Sequence, residues 1–119
     1  MADNQIFADF GGRVVIVGFG SIGQGILPLI LRHLAVLPSA VTIVAADAAG
    51  ERVAASHGVR LIRAALTPEN YRRQLEPLLA RGDFLLNVSV AVSSVALIGY
   101  ARERGALYLD TCIEPWPGG

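Results

Sequence analysis

The sequence predicts an α/β fold with a doubly wound parallel sheet of about five strands and helices on both faces. Short apolar runs rich in valine, isoleucine and leucine alternate along the chain with segments of helical pattern. The connections are short, and right-handed crossovers place the helices on both faces. The 119 residues are 53% hydrophobic and 17% charged, which suits strands buried on both faces. We therefore expect one domain over 13–119, after a loosely ordered segment over 1–12.

The first three predicted elements are a strand, a helix and a second strand. Residues 13–17 form a short β-branched run that glycines stop, which is typical of a central buried strand. A helix is predicted over 21–34, and Pro28 is expected to kink it because proline removes a backbone hydrogen bond. The apolar run 41–46 predicts the second strand, which ends at Asp47.

Glycine and proline mark the next helix, strand and helix. Residues 49–57 predict a short helix that Gly58 closes, since glycine readily adopts the left-handed conformation after a helix. Residues 59–64 predict the third strand. The pair Thr67-Pro68 supplies an N-cap and a first-turn proline for a helix over 67–79.

The last predicted elements are a strand, a helix and a strand. The apolar run 84–90 predicts the fourth strand. A helix over 93–104 begins at a serine N-cap and ends at Gly105. Residues 106–110 predict the fifth strand, and the prolines of the tail over 111–119 turn it away from the sheet.

A glycine-rich turn joins the first strand to the first helix, and its sequence is Gly18-Phe19-Gly20-Ser21-Ile22-Gly23. It fits the Gly-x-Gly-x-x-Gly fingerprint, in which Gly18 permits a tight turn, Gly20 lets the backbone approach a diphosphate, and Gly23 allows close helix packing. The phosphates would meet the positive end of the helix, where Ser21 and Ile22 are candidate contacts. The alternative is a glycine-rich turn without a ligand. The flanking strand and helix favour a Rossmann-type nucleotide-binding domain.

Asp47 closes the second strand, from which an acidic side chain can bind the ribose hydroxyls of adenosine. A carboxylate there would repel the 2′-phosphate of NADP, and Ala48 and Ala49 offer no cation to bind it. The sequence therefore favours NAD as the cofactor, although Arg52 is a nearby candidate partner for a 2′-phosphate. The alternative role for Asp47 is to cap the following helix.

Polar residues also follow the fourth and fifth strands. Asn87 and Ser89 lie where the strand order reverses, so they are candidates for contacting the ribose or nicotinamide half of the cofactor. The alternative is that they cap the next turn. Asp110 and Thr111 reach the same edge of the sheet and are further candidates for cofactor binding.

Glu114 and Trp116, in the tail, are the candidate catalytic residues. Trp116 would supply an apolar wall that raises the pKa of a carboxyl group, or a π face that receives a cationic amine. The alternative is a polar loop with one packing aromatic residue.

Composition and spacing argue against several other functions. Ten arginines balance ten acidic residues, so neither nucleic acid nor a membrane surface is an expected partner. Lysine is absent, which excludes a Schiff base on this segment. No metal spacing joins His33 and His57, so no metal site is predicted. The single Cys112 fits a reducing cytoplasm. The apolar run 14–31 is interrupted by glycines and a proline, so we do not expect a membrane-spanning helix.

Two long stretches of the chain read VVIVGFGSIGQGILPLILRH and FLLNVSVAVSSVALIGYARERGALYLDTCIEPW. With the segments between them, from Gly12 to Trp116, they resemble the amino-terminal domain of bacterial homospermidine synthase, within the wider saccharopine dehydrogenase-like group. The resemblance implies an enzyme that keeps NAD bound and recycles it within each turnover. The reaction that the resemblance implies is oxidation of putrescine to an imine, loss of ammonia, addition of a second amine, and reduction of the conjugate to homospermidine.

The resemblance also assigns roles to matching positions. It implies that residues 18–23 and Asp47 hold NAD, that Asn87 and Ser89 border its reactive end, and that Glu114 and Trp116 line the diamine site. Ala91 and Val92 stand where it implies an acidic residue and a threonine. The substrate domain of that family is absent, so this chain alone is expected to bind cofactor without catalysis, and the full-length enzyme is expected to be a homo-oligomer. The alternatives are the NAD(P)-binding domain of a saccharopine dehydrogenase-like reductase and a non-catalytic nucleotide-sensing module.

Overall fold

Strands and helices alternate throughout the computed structural model, which describes residues 12–34, 36–111 and 115–117. The predicted segment over 1–12 lies outside the described residues apart from Gly12. The strands are β1 (Val14–Val17), β2 (Val41–Ala45), β3 (Arg60–Arg63), β4 (Phe84–Asn87) and β5 (Leu107–Asp110). The helices are α1 (Ser21–His33), α2 (Glu51–Ser56), α3 (Tyr71–Leu75) and α4 (Ser94–Arg104), with a 3-10 turn at Pro38–Ala40.

The strands form a parallel sheet in the order β3-β2-β1-β4-β5. The chain winds outward from β1 through β2 to β3, then crosses to the other side of β1 and continues through β4 to β5. The order therefore reverses between β1 and β4. Every residue of the central strand β1 is buried, as the β-branched run predicts. The predicted doubly wound, Rossmann-type α/β fold is confirmed.

Helices cover both faces of the sheet. Leu27 of α1 and Ala54 of α2 pack in the core cluster of one face, together with Ile16 of β1. Leu75 of α3 and Leu97 of α4 pack in the core cluster of the other face. Burying a side chain of leucine or isoleucine size contributes about 1.5–3 kcal/mol, so these two layers hold the helices against the sheet.

The predicted helix over 67–79 is wrong in its extent, because α3 covers only Tyr71–Leu75. The amide of Thr67 donates to Asn70 Oδ1 at 2.9 Å, and the amide of Asn70 donates to Thr67 Oγ1 at 3.2 Å. These reciprocal bonds hold residues 67–70 in a turn before the helix begins. Pro77 then limits the helix at its other end, since proline has no amide hydrogen with which to continue the helical hydrogen bonds, although Glu76 before it keeps helical backbone angles.

Two other predicted elements are shorter than expected. The fourth strand ends at Asn87 rather than at residue 90, since Asn87 Oδ1 accepts the amide of Ser89 at 3.1 Å and turns the chain. The second helix begins at Glu51 rather than at residue 49, because residues 47–50 form a turn of their own. The start and end of α4 agree with prediction: Ser93 Oγ accepts the amide of Ala96 at 3.1 Å, and Gly105 has φ of 74°.

The two edges of the sheet differ in chemistry. The edge strand β5 exposes Leu107 and Leu109, and Leu109 lines an apolar groove of about 310 Å³ against α1. The opposite edge strand, β3, exposes Arg60 and Arg63. Among the residues that the structure describes, no helix has the length and apolar character needed to span a membrane.

Candidate functional site

A cleft of about 410 Å³ opens at the carboxyl edge of the sheet, beside the point where the strand order reverses. Open α/β sheets bind their ligands at this position. Loops that follow three neighbouring strands line the cleft. The lining residues are Gly18, Phe19 and Gly20 after β1, Ala45, Ala46, Asp47 and Ala49 at the end of β2, and Val88, Ser89 and Val90 after β4.

Gly18 must be glycine for two physical reasons. Its φ is +87°, a left-handed conformation that is energetically costly for a residue with a side chain. A Cβ atom at this position would also lie 2.9 Å from the backbone of Ser89. The amide of Gly18 donates to the carbonyl of Val44 at 2.8 Å, which ties the start of the glycine loop to β2.

Gly20 has a different reason to be glycine. Its backbone is extended, with φ of −79°, and a Cβ atom there would meet no heavy atom within 4 Å. The space beside it belongs to the cleft. Gly20 is also the N-cap of α1 and supplies no side-chain hydrogen bond to the helix, and no acidic residue lies in the first turn. The start of α1 therefore presents main-chain amides and a positive dipole to the cleft.

The rest of the glycine motif forms the first turn of α1. Ser21 and Ile22 are its first two residues, so their amides belong to the free end of the helix. Gly23 is buried, and a Cβ atom there would lie 3.0 Å from the ring of Phe19 and 3.2 Å from Val88. The glycine therefore lets the helix start close against the loops that line the cleft.

Asp47 follows β2 and is one of the residues that line the cleft, as Gly20 is. Its side chain is exposed, and Oδ1 accepts the amide of Ala49 at 3.0 Å. The carboxylate thus stabilises the turn before α2, but it does not cap the helix as the alternative role would require, because the N-cap of α2 is Gly50 and carries no side-chain capping bond. Its other oxygen has no hydrogen bond among the described residues and is available to a ligand in the cleft.

Asn87 and Ser89 occupy different environments. Asn87 is 1% exposed, and its side chain lies between Tyr108 Oη, at 3.2 Å, and the amide of Ser89, at 3.1 Å. Ser89 lies partly exposed in the wall of the cleft, where Oγ accepts the amide of Ala91 at 3.0 Å. Ser89 is thus within reach of a ligand in the cleft. Asn87 is not, but its hydrogen bond to the Ser89 amide fixes the turn that places Ser89 there.

Tyr108 was not among the residues singled out from the sequence, yet it joins the ends of β4 and β5. Its hydroxyl accepts from Asn87 Nδ2 and donates to Asp110 Oδ2 at 2.9 Å. The amide of Thr111 donates to the carbonyl of Asn87 at 3.2 Å, and the Thr111 side chain is exposed. The period of two in a strand places Tyr108 and Asp110 on the same face, and this signal was available in the sequence.

The stability of the fold is expected to fall with pH in the window set by Tyr108. Burial raises the pKa of Tyr108 to about 12, whereas an unfolded tyrosine ionises near pH 10. Because the folded-state pKa is the higher one, the contribution of the neutral phenol is complete below about pH 10 and is lost as the pH rises through about 12. Denaturant unfolding measured across this range should show the fall.

Tyr108→Phe provides the control, because phenylalanine does not ionise. Its unfolding free energy should decline less over the same pH range than that of the unmodified chain. Burial also raises the pKa of Tyr100, and this contribution is present in both proteins. Parallel pH profiles for the two proteins would contradict the assignment to Tyr108.

The predicted catalytic pair is divided between described and undescribed residues. Glu114 and Cys112 lie outside the described residues. Trp116 is partly buried and packs on Tyr71, with ring centroids 5.6 Å apart, and Tyr71 in turn meets Tyr100 edge-on at 6.1 Å. Trp116 therefore packs with the helices α3 and α4, and it is not among the residues that line the cleft.

No metal centre is formed by the part of the chain that the structure describes. Within residues 12–34, 36–111 and 115–117, no group of histidine, cysteine, aspartate or glutamate side chains is arranged to hold an ion. The cleft instead offers main-chain amides, one exposed carboxylate and serine.

Similar proteins share this fold and much of the sequence. The homospermidine synthase of Blastochloris viridis is 44% identical over 121 aligned residues, which cover 99% of this chain and 25% of that protein. The homospermidine synthase of Mesorhizobium japonicum is 39% identical over 116 residues, covering 95% of this chain and 24% of that protein. The crystal structure of homospermidine synthase from Legionella pneumophila in complex with NAD has a TM-score of 0.89 and 40% identity, covering 95% of this chain and 24% of that chain.

These similarities confirm the resemblance to bacterial homospermidine synthase. The chain spans about a quarter of the length of the curated relatives it matches. A family model described as the saccharopine dehydrogenase NADP binding domain matches residues 14–117, which include all five strands, the glycine loop and Asp47. The chain therefore belongs to the saccharopine dehydrogenase NADP-binding domain family.

Proposed function

We propose that this chain is the NAD-binding domain of a homospermidine synthase-like enzyme. The observation that carries the proposal is the open space beside Gly20, at the start of α1 and within the cleft. The relative from Legionella pneumophila, whose structure contains NAD, supports the choice of ligand.

The glycine loop fits a diphosphate. Gly18 holds the turn, Gly20 keeps side-chain atoms away from the main chain, and the first turn of α1 carries no acidic residue. The amides of Ser21 and Ile22 point from a helix end whose dipole favours an anion. These features together supply both the space and the hydrogen-bond donors that a pyrophosphate needs.

Asp47 favours NAD over NADP, although the family is described as NADP-binding. Its carboxylate accepts hydrogen bonds from ribose hydroxyls and repels a 2′-phosphate. The neighbouring positions in the cleft, Ala46 and Ala49, supply no compensating cation. Arg52 is exposed on α2 and is not among the residues that line the cleft.

The nicotinamide half of the cofactor would extend toward the ends of β4 and β5. In this proposal Ser89 contacts it directly, Asp110 and Thr111 border it, and Asn87 acts by positioning Ser89. When bound, NAD supplies the hydride acceptor for oxidation of the diamine, and its reduced form returns the hydride that gives the final amine. The residues of this chain bind and orient the cofactor.

The remaining steps require the rest of the protein. We propose that the full-length enzyme is a cytoplasmic homo-oligomer that converts putrescine to homospermidine, with Glu114 and Trp116 beside the diamine. Because the chain spans about a quarter of the length of its relatives, we expect it to bind cofactor without turnover on its own.

Isothermal titration of the chain with NAD tests the central proposal. Absence of binding up to millimolar NAD would end it.

Replacing Asp47 by serine tests the preference for NAD. Loss of hydrogen bonds to a charged group costs about 1.5–3 kcal/mol, so NAD affinity should fall at least about 10-fold, while NADP affinity changes less. The dissociation constant for NADP divided by that for NAD, both measured by titration, should therefore decrease. Glu51→Ser is the matched control, because it removes an exposed acid of the same α2 region that does not line the cleft. Equal ratios in the two variants would contradict the role of Asp47.

A further inference from the structure

Phe19 is buried although it belongs to the glycine loop. The residue is 5% exposed, and its ring lies between Gly23, in the first turn of α1, and Gly50, the N-cap of α2. On one side, a Cβ atom at Gly23 would lie 3.0 Å from Cδ1 of the ring. On the other side, a Cβ atom at Gly50 would overlap Cδ2 and lie 3.0 Å from Cε2.

The requirement for glycine at position 50 comes from its contact with Phe19, chiefly with the ring, and not from the backbone angles of Gly50 itself. Gly50 has φ of −99° and ψ of 7°, which other residues adopt without difficulty, and it serves as the N-cap of α2. It is buried, and a Cβ atom there would also come within 3.0 Å of the Phe19 carbonyl oxygen. That oxygen accepts Gln24 Nε2 at 3.0 Å, which holds the Phe19 main chain against α1.

A short turn connects Gly50 to Asp47. The carboxylate of Asp47 accepts the amide of Ala49, and the carbonyl of Ala48 accepts the amide of Glu51 at 3.1 Å. A shift of Gly50 away from the Phe19 ring would therefore move a turn that carries Asp47. The ring thus sets the separation between the glycine loop and the turn after β2.

We infer that the contact between the Phe19 ring and Gly50 positions Asp47 over the cleft and couples binding of the diphosphate to binding of the adenosine ribose. Gly50 lies outside the glycine fingerprint and does not line the cleft, so it acts as a positioning residue through Asp47. Phe19 is among the lining residues, but its ring is buried, and in this inference it acts through its contact with Gly50. The inference rests on the proposed NAD-binding function, which supplies the ligand for the test.

Gly50→Ala is the direct test, with Gly25→Ala as its matched control. Gly25 is exposed in α1, and a Cβ atom there would meet nothing within 4 Å. Gly50→Ala should lower NAD affinity about 10-fold and reduce the preference for NAD over NADP, an effect within the range of couplings between contacting residues. Gly25→Ala should change neither quantity. Adding Phe19→Leu to Gly50→Ala should restore much of the affinity, because the smaller side chain leaves room for the new methyl group.

A double-mutant cycle with Asp47→Ser separates positioning from general damage. If Gly50 acts through Asp47, Gly50→Ala should have little further effect on NAD affinity once Asp47 is serine. Full additivity of the two losses would overturn the inference, as would an unchanged ratio of NAD to NADP affinity in Gly50→Ala. Phe19→Ala provides a second route if Gly50→Ala does not fold, since it removes the ring, creates no overlap and should reduce the same ratio.

Failure of the inference and failure of the proposed function give different results. If the unmodified chain binds NAD and Gly50→Ala binds it equally well with the same ratio, only the inference fails. If the unmodified chain does not bind NAD, the proposed function fails, and the positioning role assigned to the Phe19–Gly50 contact fails with it. Unfolding measurements on the same variants then show whether the contact has a purely structural role.

Discussion

Replacing Gly20 by valine is expected to lower NAD affinity about 100-fold, because the side chain would occupy the space from which the amides of the helix start reach a diphosphate. The backbone of Gly20 is extended, and no heavy atom lies within 4 Å of a Cβ placed there. The folded chain can therefore accept the side chain, and only the weaker N-cap preference of valine should lower stability, by no more than about 1 kcal/mol.

Isothermal titration and denaturant unfolding on the same preparation would separate these two effects. Gly25→Val is the control, because it places the same side chain in open space on the same helix, where it does not line the cleft. It should leave NAD affinity unchanged. A Gly20→Val variant that binds NAD as tightly as Gly25→Val would show that the diphosphate does not lie beside Gly20.

Replacing Gly18 by alanine is expected to destabilise the fold itself, by about 3 kcal/mol. The left-handed backbone costs a non-glycine residue about 1–2 kcal/mol, and crowding in a packed site adds about 1–3 kcal/mol. Here the crowding is with Ser89, whose backbone would lie 2.9 Å from the new methyl group. Denaturant unfolding without cofactor measures the loss.

Gly82→Ala separates backbone strain from crowding. Gly82 has φ of +86°, nearly the value at Gly18, but a Cβ atom there meets nothing within 4 Å. The unfolding free energy of Gly82→Ala should therefore fall by only about 1–2 kcal/mol, which is the cost of backbone strain. Equal losses at the two positions would show that the contact with Ser89 has no energetic consequence.

The succession of strands and helices along the chain and the glycine loop were predictable because both depend on patterns that are local in sequence. Apolar runs define the strands, and Gly18 lies between a strand and a helix. The extent of α3 was not predictable in the same way, because the Thr67-Pro68 pair also suits a turn. The hydrogen bonds between Thr67 and Asn70 stabilise the turn over a helical start.

Parts of the site could not be predicted because they depend on residues distant in sequence. Gly50 has an ordinary backbone, and only the folded arrangement shows that the Phe19 ring fills the space beside it. The sequence suggested Trp116 as an aromatic wall for a substrate. In the fold its ring packs on Tyr71, the first residue of α3, which lies 45 positions earlier in the chain. Contacts of this kind leave no local pattern.

The side chains at the two sheet edges favour addition of a further strand at one edge over the other. A strand added beside β3 would meet the positive charges of Arg60 and Arg63, which are typical of edges that resist pairing. A strand added beside β5 would instead bury Leu107 and Leu109, which are 57% and 55% exposed. Additional polypeptide therefore has an energetic reason to join on the β5 side, where burial of these two leucines would stabilise the added strand.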